Sequence, residues 1–189
     1  MRVISGIARG KNLKAPPGNE TRPITDMIKE ALFNVLGPDI QGADFLDLFA
    51  GSGSVGIEAL SRGADRVVFI DNSGPAVQVI QANLDHCHFT EKYEVFKNDV
   101  FKAVDRLKKD SSWFDYIYID PPFTQENIFP EILGKMDETQ LLKDQGTLII
   151  RTPRKMKMPA ALKNMQRVRH NHYGESTLHY YQSIIKGGN

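Results

Sequence analysis

The 189-residue sequence contains one cysteine, one tryptophan and no long apolar segment. Its longest apolar runs, such as 116–119, are far shorter than the roughly 20 residues that cross a bilayer, so we expect no membrane span. The first six residues show no charged stretch leading into an apolar one, and we expect no secretory signal. Cys87 has no second cysteine to pair with, which excludes an internal disulfide. These absences predict a cytoplasmic protein.

Internal repeats and low-complexity runs are absent too, and the length is typical of a single domain. We predict one domain over 1–189, with an appendage at 1–20 and a core at 21–189. The tripeptide His86-Cys87-His88 has the side chains of a metal site, but three consecutive helical residues point in different directions. We therefore predict no metal site.

The net charge of +1 conceals an uneven distribution along the chain. Residues 1–36 carry six Lys/Arg against three Asp/Glu, residues 37–150 carry ten against nineteen, and residues 151–189 carry eight against one. The two ends are basic and the middle is acidic. Basic ends that meet in space can bind a polyanion, because Lys and Arg on phosphates release counterions. Charge alone leaves this interpretation open beside that of an ordinary solvated surface.

Strands alternate with helices through most of the chain, which predicts an α/β fold whose parallel sheet is covered on both faces. The predicted strands are 44–50, 66–71, 93–98, 114–120 and 146–151, and the helices between them are 55–62, 75–85, 100–108 and 126–136. Two further strands, 166–173 and 176–185, are joined by Gly174-Glu175 and predict an antiparallel edge hairpin. Ahead of the first strand we predict a small hairpin from 2–5 and 11–15, standing off the main sheet, and a helix over 26–36.

A glycine-rich segment, Gly51-Ser52-Gly53-Ser54-Val55-Gly56, follows the first predicted strand and opens a helix. Its glycines allow a ligand to approach the backbone closely at the helix N-terminus. Asp71 ends the next strand twenty positions after Gly51, where a carboxylate can accept hydrogen bonds from ribose hydroxyls. The pair indicates a nucleoside-containing ligand and leaves a nicotinamide cofactor and S-adenosylmethionine as alternatives.

Asp47 favours S-adenosylmethionine over a dinucleotide. It lies near the end of the first strand, where a pyrophosphate would bring negative charge beside a carboxylate, whereas S-adenosylmethionine carries a sulfonium and an ammonium. Asp99, at the end of the third strand, can accept a hydrogen bond from the adenine amino group. Capping of the following helix explains Asp99 nearly as well.

The tetrapeptide Asp120-Pro121-Pro122-Phe123 follows the fourth strand, at the edge of the sheet where ligands bind in open parallel folds. An amino group on a nucleic-acid base is a poor nucleophile because its lone pair is delocalised. If Asp120 and the Pro121 carbonyl each accept one N–H, the nitrogen can pyramidalise toward a methyl donor. Pro121 and Pro122 fix the backbone, and Phe123 can stack on a flipped-out base. These four residues are the predicted catalytic group.

With these motifs assembled, the chain resembles the bacterial family that methylates the N2 amine of one guanine in small-subunit (16S) ribosomal RNA. Thr21-Arg22-Pro23 combined with Asp-Pro-Pro-Phe is the most specific part, since many methyltransferases share the glycine loop. The chain departs from the family pattern at Ile24, at Asp71 and at Arg151, where the fifth strand often ends in an acidic residue. The matching segments are Arg2-Val3-Ile4-Ser5-Gly6, Thr21-Arg22-Pro23-Ile24-Thr25-Asp26, Lys29-Glu30-Ala31-Leu32-Phe33-Asn34, Asp47-Leu48-Phe49-Ala50-Gly51-Ser52-Gly53, Asp120-Pro121-Pro122-Phe123 and Tyr173-Gly174-Glu175.

The resemblance implies a seven-stranded, Rossmann-like methyltransferase fold that uses S-adenosylmethionine and acts on 16S ribosomal RNA in the small subunit or its assembly intermediate. The expected cofactor contacts are Thr21, Arg22, Pro23, Asp47, Phe49, Ala50, Gly51, Ser52, Gly53, Asp71, Asn72, Asp99 and Val100. The expected RNA contacts are Arg9, Lys11 and Lys14 in the appendage and Arg154, Lys155 and Lys157 in the basic C-terminal part. We expect His170, His172 and His179 to be surface or RNA-facing residues.

Three other functions remain alternatives at this point. Asp-Pro-Pro-aromatic segments also serve methylation of adenine N6 or cytosine N4 in DNA or other RNA. A nicotinamide-dependent oxidoreductase can use the same glycine loop, although Asp47 and Asp120 argue against it. A non-catalytic RNA-binding protein of the same fold would explain the basic ends, but it would not need Asp120-Pro121-Pro122-Phe123.

Overall fold

The structure, a computed structural model, describes residues 1–17 and 24–184. The α-helices in these ranges are α1 (Asp26–Leu36), α2 (Ser54–Ser61), α3 (Gly74–His86), α4 (Val100–Lys109) and α5 (Ile128–Thr139), and a 3₁₀ turn covers Gly37–Ile40. The strands are β1 (Asp44–Leu48), β2 (Arg66–Asp71), β3 (Tyr93–Lys97), β4 (Phe114–Ile119), β5 (Leu142–Pro153), β6 (Met165–Tyr173) and β7 (Ser176–Ser183). Across the described ranges, no helix combines the length and the apolarity needed to cross a membrane.

The seven strands form one sheet in the order β3-β2-β1-β4-β5-β7-β6. The strands from β3 to β5 are parallel, whereas β7 runs antiparallel to both β5 and β6. This confirms the predicted α/β fold with an antiparallel pair at one edge. The pair joins the sheet through its second strand, so β7 is an interior strand and β6 forms the outer edge.

Helices cover both faces of the sheet, which is why its central strands are apolar on both sides. On one face, α1, α2 and α3 pack around strand residues such as Phe45 and Phe69. On the other face, α4 and α5 pack around residues such as Leu46 and Ile117. Successive strand residues point to opposite faces, so β1 contributes alternately to the two clusters.

Three helices begin at polar capping residues. The side chains of Thr25, Ser73 and Asp99 each accept a hydrogen bond from the backbone N–H three residues later, at 3.3, 3.3 and 3.1 Å. Such a cap satisfies one of the backbone donors that a helix start leaves without a partner. The helix predicted over 26–36 is confirmed, and those predicted over 55–62, 75–85 and 100–108 each lie within one residue of the observed helix at both ends.

The largest boundary error concerns β5, which begins at Leu142 instead of 146. Leu142 pairs with Phe114, and the register with β4 then shifts before the regular pairing resumes. Lys143 lies in this irregular stretch, and its Nζ contacts Asp44 Oδ2 at 2.6 Å and Asp115 Oδ2 at 2.8 Å. These contacts join residues far apart in sequence, so no local pattern indicated them.

The N-terminal segment, residues 1–17, packs closely on the helices. The predicted hairpin has one antiparallel bridge, between Arg2 and Asn12, and its two arms are joined by backbone bonds such as Val3 N–H to the Lys11 carbonyl at 2.9 Å. The backbone N–H groups of Ile4, Ser5 and Ala8 donate to side chains of α2 instead. Ile7 N–H donates to the Ser61 carbonyl at 2.8 Å, and a Cβ on Gly6 would lie only 1.7 Å from the same oxygen. Gly6, with φ of 82°, therefore permits both the turn and the close approach to α2. Three apolar residues of the segment enter the main core: Val3, Ala8 and Leu13.

A buried ion pair between Lys29 of α1 and Glu58 of α2 secures this segment. Both side chains are inaccessible to solvent, and Lys29 Nζ lies 3.5 Å from Glu58 Oε2. The Glu58 carboxylate also accepts the backbone N–H groups of Ile4 at 2.7 Å and Ser5 at 3.0 Å. Lys29 donates to the Arg2 carbonyl at 2.6 Å. Burial lowers the pKa of Lys29, and the Glu58 carboxylate opposes that shift.

We predict that Glu58→Gln lowers the free energy of unfolding by about 3–5 kcal/mol, because removing one partner leaves the buried Lys29 charge uncompensated. Urea denaturation of the two proteins at pH 7 measures the difference. Asp110→Asn is the matched control, since Asp110 pairs with Arg106 at the exposed end of α4. This control should change the free energy of unfolding by less than about 1 kcal/mol. Equal losses for the two variants would contradict the prediction.

Candidate functional site

The strand order reverses between β1 and β4, and at such a point the following loops diverge and leave a crevice beyond the carboxyl ends of the strands. Two adjoining recesses occupy this crevice, with volumes of about 60 and 1090 Å³. The larger one is near the upper end of the roughly 300–1,000 Å³ usual for small-molecule sites. The two recesses share Pro16, Phe49, Gly51, Asp120 and Pro122 as lining residues.

The tight loop after β1 forms one wall of the crevice. Phe49 and Gly51 line both recesses and have positive φ angles of 59° and 57°. Ala50 and Ser52 line the smaller recess. Gly53, the last of the predicted loop contacts, lines neither recess and caps α2 with φ of 72°, where a Cβ would lie 3.2 Å from a side-chain carbon of α3. The backbone of the loop is thus exposed to a ligand in the crevice, while Gly53 allows α2 and α3 to pack closely.

Asp47 lines the smaller recess from β1 and is 1% exposed. Its Oδ2 accepts the Gly56 N–H at 2.9 Å, in the first turn of α2. Burial raises the pKa of Asp47 well above its ordinary value, the Gly56 hydrogen bond opposes the shift, and the carboxylates of Asp120 and Asp71 increase it. A cationic ligand would favour the ionised form of this carboxyl.

Asp71 connects the end of β2 to the glycine loop. Its Oδ2 accepts the Gly51 N–H at 2.8 Å, and its Oδ1 accepts the Ser73 N–H at 2.9 Å. Asp71 and Asn72 both line the larger recess. Because a carboxylate oxygen can accept more than one hydrogen bond, the two backbone donors orient Asp71 and still leave capacity for ribose hydroxyls.

Asp99 and Val100 line the same larger recess after β3. Asp99 uses Oδ1 to cap α4 through the Lys102 N–H. The capping interpretation of Asp99 is therefore confirmed, and its position on the recess wall is compatible with a ligand contact as well.

The predicted catalytic residues meet the same crevice from β4. Asp120, Pro121, Pro122 and Phe123 all line the smaller recess, and Asp120 and Pro122 also line the larger one. The Asp120 N–H donates to the Leu48 carbonyl at 3.3 Å, which ties this segment to the end of β1. The structure therefore brings together residues at the ends of four separate strands, β1 to β4.

Two further residues contact Asp120 and were not indicated by the sequence pattern. Tyr118 Oη donates to Asp120 Oδ2 at 3.2 Å, and Arg151 Nη1 donates to the same oxygen at 2.7 Å. Burial raises the pKa of Asp120, while Arg151 and the Tyr118 hydroxyl oppose the shift. The Arg151 guanidinium also lies 5.0 Å from the centre of the Phe123 ring. Arg151 is the last residue of the predicted strand 146–151, and its only sequence signals were that position and its departure from the family pattern.

The N-terminal segment completes the crevice wall. Met1 lines the smaller recess, and Pro16 lines both. Asn83 of α3 joins this segment to the glycine loop, because its Nδ2 donates to the Ser52 carbonyl at 2.9 Å and to the Lys14 carbonyl at 3.0 Å. Asn83 is 1% exposed and was not indicated by the sequence. The predicted contacts Thr21, Arg22 and Pro23 lie outside the described residues.

The predicted RNA-contacting residues occupy two surfaces. Arg154, Lys155 and Lys157 are exposed and follow β5 at the edge of the sheet where the crevice lies. In the N-terminal segment, Arg9, Lys11 and Lys14 are at least partly exposed. Residues 7 and 8 bond to the last residue of α2, about 12 Å along that helix from the glycine loop. Arg9 is therefore near the edge of the sheet opposite the crevice, and Lys14 is the closest of the three residues to the crevice.

The expectation for the three histidines holds for two of them. His170 and His172 are exposed on β6, whereas His179 is only 3% exposed. The prediction for His179 is wrong because β7 is an interior strand, packed between β5 and β6. Burial lowers the pKa of His179 to about 4, and Arg167 contributes to the shift.

Cys87 of the His-Cys-His tripeptide is buried, while the two flanking histidines are exposed. Among residues 1–17 and 24–184, no group of three His, Cys, Asp or Glu side chains is arranged to hold a metal ion.

Comparisons with known proteins identify the family to which this fold belongs. The family model described as Conserved hypothetical protein 95 matches residues 1–182. The chain is 37% identical over 182 residues to a putative rRNA methyltransferase, YlbH, of Bacillus subtilis, covering 96% of this chain and 98% of that protein. It is 34% identical over 155 residues to ribosomal RNA small subunit methyltransferase D of Haemophilus influenzae, covering 80% and 78%. The solved structure of a putative methyltransferase, yhhF, from Escherichia coli has a TM-score of 0.82 at 28% identity and covers 97% of both chains.

The fold, the crevice and these relatives define a methyltransferase of the Rossmann-like, S-adenosylmethionine-dependent class. Within that class, the chain belongs to the Conserved hypothetical protein 95 family, as the match over nearly its whole length shows. The nicotinamide-dependent alternative is therefore excluded.

We predict that Asp47→Asn stabilises the ligand-free protein at neutral pH. The unfolded chain ionises Asp47 near pH 4, whereas the folded chain retains the proton to higher pH because the folded-state pKa is raised. Between these two pKa values, the wild-type free energy of unfolding falls as pH rises, and Asn removes this loss. Urea denaturation from pH 4 to pH 8 should show a difference in the free energy of unfolding between the variant and the wild type. This gap should be small at pH 4 and should increase as the pH rises. A gap that stays constant with pH would contradict the prediction.

Proposed function

We propose that the protein methylates the exocyclic N2 amine of a guanine in 16S ribosomal RNA, in the cytoplasm, with the assembled small subunit or an assembly intermediate as its substrate. One observation carries the proposal: Asp120 lines both recesses, and its side-chain bonds to Tyr118 and Arg151 use only Oδ2. Within residues 1–17 and 24–184, no group donates a hydrogen bond to Asp120 Oδ1. This oxygen is thus left to accept an N–H from an amine in the crevice.

The crevice fits S-adenosylmethionine by the chemistry of its walls. The buried carboxyl of Asp47 suits the positive end of the molecule, and Asp71 suits its ribose hydroxyls. Asp99 and Val100 would border its adenine. When bound, S-adenosylmethionine supplies a methyl group, and the new N–C bond forms as the S–C bond breaks with its electron pair remaining on sulfur.

Asp120 and Pro121 would prepare the attacking amine. If Asp120 Oδ1 and the Pro121 carbonyl each accept one N–H, the nitrogen turns its lone pair out of the ring plane and toward the methyl group. After transfer, the cationic nitrogen passes one proton to the Asp120 carboxylate, whose Oδ1 already accepts its N–H in this proposal, and becomes a neutral secondary amine. The two prolines restrict the backbone here because their φ angles are fixed.

Phe123 provides a stacking surface for the base. Its ring is half-buried and meets Phe129 edge-on, with 6.0 Å between the ring centres. Stacking of a base on an aromatic ring contributes about 1–3 kcal/mol in single-stranded recognition. A base that is turned out of its helix can therefore be held beside Asp120.

The names of the relatives support ribosomal RNA as the substrate, since one is a putative rRNA methyltransferase and another is a ribosomal RNA small subunit methyltransferase. The choice of guanine rests on the resemblance carried by Thr21-Arg22-Pro23 and Asp120-Pro121-Pro122-Phe123. Methylation of adenine N6 or cytosine N4 is the alternative, because the same tetrapeptide can hold those amines.

We predict that deletion of the gene removes N2-methylguanosine from 16S ribosomal RNA and leaves N6-methyladenine in DNA unchanged. Nucleoside analysis by mass spectrometry, on RNA and DNA from the same cells, measures both. Supplying the wild-type gene should restore the modification, because methyl transfer depends on the intact site.

Asp120→Ala is the matched control in the same experiment. It should fail to restore N2-methylguanosine, while the purified variant binds S-adenosylmethionine with nearly unchanged affinity, since Asp120 is assigned to the amine. Loss of a methylated adenine or cytosine in place of N2-methylguanosine would show that the guanine assignment is wrong.

We also predict that replacing Lys155 and Lys157 together by Gln weakens RNA binding and flattens its salt dependence. Each lost contact to a single-stranded phosphate should reduce the slope of log K against log salt by about 0.7. Binding isotherms at several salt concentrations measure the slope. The matched control replaces Lys108 and Lys109, which are exposed in the last turn of α4, and should leave the slope unchanged. An equal effect of the two pairs would place the RNA elsewhere.

A further inference from the structure

We propose that Arg151 is a positioning residue for methyl transfer, which holds the carboxylate of Asp120 and the ring of Phe123 in one fixed arrangement around the target base. The proposal rests on the function proposed above. It assigns a role to one of the three positions at which this chain departs from the family pattern, since the fifth strand of that family often ends in an acidic side chain.

Arg151 is placed for this role by the pairing of β5 with β7. It lies opposite Leu178 in the antiparallel ladder and is 3% exposed. Its Nε contacts Ser176 Oγ at 3.3 Å, and its Nη1 contacts Asp120 Oδ2 at 2.7 Å. A planar guanidinium held at two points has little freedom to rotate, so its direction is determined by the sheet.

The contact with Asp120 decides which carboxylate oxygen remains for the substrate. Arg151 and Tyr118 both bind Oδ2, from β5 and β4. A carboxylate without such partners rotates about its last bond and offers either oxygen. With Oδ2 occupied, Oδ1 is the oxygen that accepts the hydrogen bond from the amine N–H. The geometry in which the amine nitrogen attacks the methyl group is then set before the base arrives.

The contact with Phe123 connects the stacking surface to the same anchor. The guanidinium carbon lies 5.0 Å from the Phe123 ring centre, within the range of a cation–π interaction. Phe129 packs edge-on against the ring, with its centre 6.0 Å away. Arg151 therefore fixes the distance between the group that holds the amine and the ring that holds the base.

Arg151 also controls the charge of Asp120. Among the described residues, the charged and titratable groups that influence this carboxyl are Arg151 from β5 and Tyr118 from β4, and Asp120 in turn raises the pKa of Asp47 on β1. Arg151 opposes the effect of burial, which favours the neutral acid. Loss of the arginine charge should therefore raise the pKa of Asp120 further, and the carboxylate would be protonated over a wider pH range.

The test compares Arg151→Met, Arg151→Lys and the control Gln182→Ala in the full chain. Met retains the aliphatic volume without the charge, and Lys retains the charge. Gln182→Ala removes a contact between β7 and β5, from Gln182 Nε2 to Thr147 Oγ1 at 3.3 Å, that involves neither Arg151 nor Asp120. ¹³C NMR of aspartate carboxyls, assigned by difference from Asp120→Asn, follows the titration of Asp120 without any substrate. Single-turnover methyl transfer as a function of pH, and the affinity for S-adenosylmethionine, are measured on the same proteins.

For Arg151→Met we expect a titration of Asp120 at higher pH and an acid limb of the rate profile that moves with it. The rate at pH 7 should fall on the order of 10- to 100-fold, the range of a charge-assisted hydrogen bond, while cofactor affinity changes by less than about threefold. Arg151→Lys should have part of the wild-type rate, and the pKa of Asp120 in this variant should lie close to its wild-type value. Gln182→Ala should retain the wild-type profile.

An unshifted Asp120 titration in Arg151→Met overturns the proposed pairing. A shifted titration with an unchanged rate profile overturns the positioning role, because the carboxylate would then be held without effect on transfer. If the wild type transfers no methyl group to ribosomal RNA but the titration still shifts, the proposed function is wrong and the pairing of Arg151 with Asp120 stands.

Discussion

The site depends on two aspartates at the carboxyl ends of neighbouring strands, of which Asp47 is buried and Asp120 is partly buried. Asp47 belongs to β1 and Asp120 follows β4, and the Asp120 carboxylate raises the electrostatic cost of ionising Asp47. Such a pair is unfavourable unless positive groups lie against it. Arg151 is that group for Asp120, and a cationic methyl donor would be that group for Asp47. The crevice is therefore an electrostatic match for its ligand before any specific contact is considered.

A second buried network holds the wall of the crevice. Lys29 donates to Ser54 Oγ at 2.9 Å, at the first residue of α2, while its partner Glu58 holds the N-terminal segment. Asn83 connects that segment with the carbonyl of Ser52. Buried polar groups of this kind stabilise one arrangement, because any displacement leaves a donor or an acceptor without a partner. The N-terminal segment is consequently part of the site's support.

Most of the fold could be read from the sequence, because parallel strands buried on both faces appear as short apolar runs and the helices carry their own capping residues. The parts that could not be read involve contacts across long separations. The irregular start of β5 depends on Lys143 meeting two carboxylates of other strands, and the single bridge at Arg2 depends on bonds to α2. His179 was placed at the surface because a hairpin at the end of a chain gives no indication of which of its strands joins the sheet.

The sequence by itself determined which side chains stand at strand ends: Asp47, Asp71 and Asp120 with its prolines. Parallel strands bring their carboxyl ends to one edge, so adjacency to a strand end is enough to predict a shared crevice. The tertiary structure alone decided what these carboxylates face. The contact of Arg151 with Asp120 requires β5 beside β4, and the burial of Arg151 requires β7 against β5. Strand order and register set such pairings, and neither is encoded in the local periodicity of any one segment.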